Sequence, residues 1–197
     1  MEGLIKAIEI FALLTGLAYV ILEIGQKNAM WIVGIATGAA CAFSFAVQSL
    51  WASMALNVYY VLISVWGLVQ WRKAGKELEE SDAAQGSLHL ARPDRKNLIL
   101  SLAIFVAGSL ALIAVLRLLH DSESALDAVV AVMSAIATWW LAKSWPEQWL
   151  VWILADMLST VLCLSAGMHW MAALYLVYAL SAVYGWVHWK KRGVYLE

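Results

Sequence analysis

The stretch "VWGLVQWRK", Val65–Lys73, returns in altered form as "VYGWVHWKK", Val183–Lys191. A shift of 118 residues superposes the two, and the same shift carries Trp31 onto Trp149, Tyr60 onto Tyr178, Gly67 onto Gly185 and Trp71 onto Trp189. Each copy ends an apolar run with a tryptophan and two cations, the pattern of a helix emerging from a bilayer. The chain therefore reads as two versions of one membrane-embedded unit.

Composition agrees. Of 197 residues, 63% are hydrophobic and 14% charged, against roughly half and a quarter in soluble domains, and mean hydropathy is +0.77. A net charge of −1 gives no reason to expect a nucleic-acid partner. Cys41 and Cys163 both fall in apolar segments, where cysteine behaves as a small hydrophobe. The opening "MEGLIKAIEIFALLTGLAYVILE" lacks the basic start and small-residue cleavage site of a signal peptide and reads as a first span.

A span takes about 20 mostly apolar residues. Seven stretches qualify: 4–24, 30–48, 51–71, 98–119, 124–142, 148–166 and 169–189. Unpaired backbone is intolerable in hydrocarbon, so each must be helical. The division that follows is a first three-helix repeat over 1–72, a loop over 73–97, a linker helix over 98–119, and a second three-helix repeat with a basic tail over 120–197. Three spans reverse the chain across the membrane, and the linker restores the starting side, so the repeats are parallel. The fold class is all-α integral membrane, arranged 3+1+3.

Orientation follows from lysine and arginine. With the N-terminus outside, eleven of the thirteen cations fall on the cytoplasmic side: Lys27, Arg72, Lys73, Lys76, Arg92, Arg95, Lys96, Lys143, Lys190, Lys191 and Arg192. Lys6, Arg117 and the acidic "HDSES" at 120–124 fall outside. The expected location is a bacterial inner membrane, with the C-terminus cytoplasmic.

Transporters built from such repeats hold their cargo between them, near the midplane. Asp156 lies eight residues into the sixth span, about 12 Å deep at 1.5 Å per residue. A carboxylate there costs on the order of 3 kcal/mol and must face protein. Trp149, Trp152 and Asp156 are spaced i, i+3, i+7 and share a helical face. Indoles and a carboxylate on one face suit a flat cationic ring. The competing reading makes Trp149 an interfacial anchor, together with Trp31, Trp71, Trp140, Trp145, Trp186 and Trp189. On the third span, Asn57, Tyr60 and Ser64 share a face, and Gln48 ends the second. Their amides and hydroxyls fit a polar cargo or interhelical bonds equally well. Tyr178 is the repeat mate of Tyr60. Ser134 and Thr138 read as packing residues.

Other activities find no support. The chain has no G-x-x-x-x-G-K-[ST] and no H-E-x-x-H, hence no expected nucleotide hydrolysis, metal or other cofactor. Asp156 has no second carboxylate or histidine at matching depth, which argues against an enzyme. No buried cation cluster awaits a phosphate, so the cargo is expected to be unphosphorylated. A receptor or subunit that transports nothing is the rival from another class.

Taken together, "GLAYVILE…WIVGI", "NVYYVLISVWGLVQW", "EQWLVWILADMLSTVLCLSAG" and "ALYLVYALSAVYGWVHWKK" resemble the PnuC family of vitamin transporters, over both repeats. The resemblance implies a SWEET-like fold, a homotrimer in the lipid bilayer, and nicotinamide riboside as cargo, taken up by facilitated diffusion. It also implies trapping of that cargo through phosphorylation by a cytoplasmic kinase, on the way to NAD biosynthesis. The family's cargo-contacting tryptophans fall on Trp149 and Trp152. Typical nicotinamide riboside carriers read E-N-W where this chain has Glu147, Gln148 and Trp149, and "NVYY" at 57–60 also departs from the usual pattern. Relatives of this fold carry thiamine or riboflavin, so thiamine, another flat cation, remains an alternative.

Overall fold

A computed structural model of the chain describes residues 14–47, 51–80, 88–118 and 125–196. Its helices are α1 (Leu14–Ile24), α2 (Ala29–Val47), α3 (Trp51–Glu80), α4 (Arg95–Leu118), α5 (Ala125–Ala142), α6 (Gln148–Ser165) and α7 (His169–Arg192). Two three-residue strands complete it, β1 (Leu88–Leu90) and β2 (Gly193–Tyr195). Helices α2 to α7 are each long and apolar enough to cross a bilayer. The fold is that of an all-α integral membrane protein.

The exposed surface is apolar, as lipid contact requires. On α6, Leu150, Leu154, Met157, Val161 and Leu164 face outward, while Gln148, Trp149, Asp156, Ser159 and Thr160 are buried. This inversion of the soluble pattern is what a bilayer selects, because a polar group facing lipid is costly.

Two three-helix units, α1–α3 and α5–α7, flank α4, which is tied to α5 by the Trp140 indole N–H on Ser101 Oγ at 2.9 Å. The units repeat each other bond for bond at the α1–α2 and α5–α6 turns. Gln26 N donates to Glu23 O at 2.9 Å, and 118 residues on Ser144 N donates to Leu141 O at 2.9 Å. Lys27 N to Leu22 O recurs as Trp145 N to Trp140 O, and Met30 N to Lys27 O as Gln148 N to Trp145 O. Gln26 and Ser144, at matching positions, both adopt left-handed backbone, φ 49° and 57°, which is uncommon for residues other than glycine.

The sequence-predicted mates also share contacts. A Cβ on Gly67 would lie 2.6 Å from the Trp31 ring, and one on Gly185 would lie 2.6 Å from the Trp149 ring. Trp31 meets Trp71 edge-on at 5.1 Å, and Trp149 meets Trp189 edge-on at 5.5 Å. Glycine lets each indole pack into the helix it crosses. Trp31, Trp71, Trp145, Trp149 and Trp189 are consequently buried. This corrects the reading that placed them in an interfacial belt: the rings form the core at the basic end of the bundle.

The units are also cross-linked reciprocally. Trp71 donates its indole N–H to Leu141 O at 3.1 Å, and Trp189 donates its own to Ile24 O at 3.1 Å. Each unit's last helix thus binds the end of the other unit's first helix; Leu141 O accepts the Trp71 indole as well as Ser144 N.

Of the stretch expected to be a loop, 73–97, the structure describes 73–80 and 88–97. Helix α3 runs on to Glu80, α4 begins at Arg95, and β1 lies between them. β1 pairs in parallel with β2, Leu88 against Gly193 and Leu90 against Tyr195. His89 is buried. Its backbone N–H and C=O both bond the Gln26 side chain at 2.8 Å, while its Nδ1 meets Ser144 Oγ at 2.8 Å. The two left-handed turns therefore grip one strand from both sides. Burial pushes the His89 imidazole down to about 4, so it is neutral at physiological pH.

Candidate functional site

Two cavities, of about 190 and 200 Å³, open between the units and share Gly16, Tyr19 and Trp152. The first is lined also by Asn57, Tyr60, Ser64, Thr138, Gly34 and Gly38. The second is lined also by Glu23, Trp149, Asp156, Tyr178 and Ala182. The 118-residue shift relates them: Tyr60 in one matches Tyr178 in the other, and Ser64 matches Ala182.

The symmetry breaks where chemistry enters. Trp152 and Asp156 of α6 correspond to Gly34 and Gly38 of α2. One unit contributes the indole and the carboxylate, and the other contributes space. At Gly34 the room left is small, because an added Cβ would lie 3.0 Å from Ser64 Oγ and 3.1 Å from the Tyr19 ring.

The structure brings together Trp149, Trp152, Asp156, Asn57, Tyr60 and Tyr178 around these linked cavities. Gln48 lies outside the described residues. Trp149 is 2% exposed and Asp156 7%, so the predicted helical stripe is a buried wall. Among the described residues, the buried indole N–H groups of Trp149 and Trp152 have no hydrogen-bond partner. Asn57 directs its amide N–H to Ser53 O of its own helix at 2.9 Å. Thr138, expected to be a packing residue, lines the first cavity.

Sequence reasoning missed Tyr19, which lines both cavities, and Glu23. Glu23 is 3% exposed, lines the second cavity with Asp156, and accepts the Gln148 side-chain amide at 3.1 Å. The expectation that Asp156 lacks an acidic companion is therefore corrected. The signal was available, since Glu23 also ends an apolar run, but it adjoins the polar "GQKN" turn and reads as a wetted helix end. Among the described residues, no lysine or arginine lines either cavity, and no cluster of three metal-ligating side chains occurs.

A profile of the nicotinamide mononucleotide transporter family matches residues 6–191. The chain is 25% identical over 193 residues to the nicotinamide riboside transporter PnuC of Neisseria mucosa, covering 91% of this chain and 70% of that protein. A crystal structure of the vitamin B3 transporter PnuC superposes with TM-score 0.70 at 24% identity, over 94% of this chain and 81% of that one; at that identity it speaks to the fold. The chain belongs to the nicotinamide mononucleotide transporter family, and its place is among membrane transporters rather than enzymes.

Proposed function

We propose that this chain carries nicotinamide riboside into the cell by facilitated diffusion, binding it in the linked cavities between the two units. Trp149 and Trp152 stack on the pyridinium ring. Asp156 balances its charge, while Asn57, Tyr60, Tyr178 and Gln48 read the amide and ribose. The observation that carries the reading is the lining itself, two indoles and two carboxylates with no lysine or arginine among the described residues. A cation gains from both indoles and carboxylates. A phosphorylated cargo would lack the charged donors that phosphate recognition uses, which favours the riboside over the mononucleotide of the family's description.

The basic end faces the cytoplasm, in keeping with the cation distribution, and the two units rock about the site to alternate access. A cytoplasmic kinase then keeps the cargo inside, and the working assembly is a homotrimer. The named relative is described as a nicotinamide riboside transporter, which supports the choice of cargo. Thiamine is the second reading, because its thiazolium ring would use the same indoles and carboxylates.

Exchange of labelled nicotinamide riboside across proteoliposomes, without any ion gradient, is the expected behaviour. Strict dependence on a proton or sodium gradient would contradict facilitated diffusion. Competition by thiamine but not by the riboside would transfer the assignment to thiamine.

A further inference from the structure

The second cavity holds two carboxylates from opposite units, Glu23 of α1 and Asp156 of α6. Neither meets a lysine or arginine: among the described residues the one ion pair is Lys190–Glu147, and Glu147 is not a lining residue. A buried carboxylate is costly unless something compensates its charge. The one side-chain hydrogen bond seen on Glu23, from the neutral Gln148 amide, compensates only in part. Gln148 is itself wholly buried and is not exposed to the cavity. Its other polar atom, Oε1, has no partner among the described residues. So Gln148 gives its donor to Glu23 and does not itself line the cargo space.

We infer that Glu23 is a second cargo-reading carboxylate, which with Asp156 makes the cavity selective for a flat heteroaromatic ring bearing a formal positive charge, and that Gln148 is the positioning residue that holds it. The inference rests on the cavity being the cargo site and adds to that reading the class of ligand admitted. The two carboxylates approach from different units, so a cation between them draws the units together, whereas a neutral ring of the same shape leaves both uncompensated. Selection of this kind works by rejection as much as by attraction, since the poorer ligand strands buried charge.

Nicotinamide riboside and its dihydropyridine form test this directly. They share ribose and amide, and the reduced ring has one more hydrogen and no charge. Calorimetric titration of both into the purified full-length chain should give at least tenfold tighter binding of the oxidised form. Glu23→Gln, which keeps shape and removes charge, should shrink that ratio at least fivefold. Gln148→Met, which leaves the carboxylate but removes its holder, should shrink it by a smaller factor and lower the melting temperature. If Glu23→Gln fails to fold, the Gln148→Met ratio decides the question alone. An unchanged ratio in the folded variants, with binding still lost in Trp152→Ala, overturns the inference and leaves the cargo site standing. Binding of neither form by the unaltered protein overturns both.

Discussion

Gln148 donates its side-chain amide to Glu23 Oε1 across 3.1 Å, joining the first residue of α6 to the end of α1. That bond spans the two three-helix units beside the second cavity, which Glu23 lines. Trp149, the next residue, presents its ring to Gly185 and lines that cavity. One short segment therefore both fastens the units together and builds the wall between them, and the consequences of altering it can be stated residue by residue.

Gly67 and Gly185 make the same contact in the two units but should respond differently to substitution. A Cβ at either would lie 2.6 Å from an indole, and overpacking of this kind costs about 1–3 kcal/mol. Gly67→Ala displaces Trp31, which does not line the cavity, and should lower the melting temperature with little change in affinity. Gly185→Ala displaces Trp149 and should lower both. Thermal unfolding in detergent alongside calorimetric binding separates the two outcomes.

The reciprocal indole bonds should be equivalent in stability. Trp71→Phe and Trp189→Phe each remove one N–H from a carbonyl, Leu141 O or Ile24 O, and should each destabilise the protein by about 1 kcal/mol. Their effects should add only in part, because Trp71 and Trp189 are 6.1 Å apart and neighbouring sites couple. A double-mutant cycle on melting temperature measures that coupling.

His89 gives the basic end a pH dependence of definite sign. Its folded value lies near 4 while an unfolded histidine titrates near about 6.5, so the unfolded chain binds the extra proton first as pH falls. The stabilisation from neutral His89 is full above about 6.5 and is lost progressively down to about 4. Melting temperature should fall across that window more steeply in the wild type than in His89→Gln.

Much of this was legible in the chain because membrane embedding writes itself in composition. Seven spans follow from hydropathy, and six of them are helices long and apolar enough to cross a bilayer among the described residues. The 118-residue shift follows from aromatic spacing, and the shared face of Trp149, Trp152 and Asp156 from helical periodicity. Burial of the tryptophans was not legible, since an indole near a bilayer interface looks the same in sequence whether it faces lipid or a glycine. Nor was β1: "SLHL" follows a polar run, and its order comes from the Gln26 and Ser144 side chains, each distant in sequence. Glu23 was hidden by its position beside a turn. The pairing of one unit's glycines with the other's Trp152 and Asp156 needed both the repeat and its exceptions.

Trp152 lines both cavities, as Tyr19 does, and it supplies the indole expected to stack on the cargo, so it tests the central claim most directly. Titration of nicotinamide riboside into purified wild-type protein and Trp152→Ala, with melting temperature as a control on folding, is the measurement. Binding by the wild type and a loss of about tenfold or more in the folded variant, the scale of a desolvated cation–π contact, is the predicted result. Equal affinity in the two proteins would place the cargo elsewhere and contradict the account.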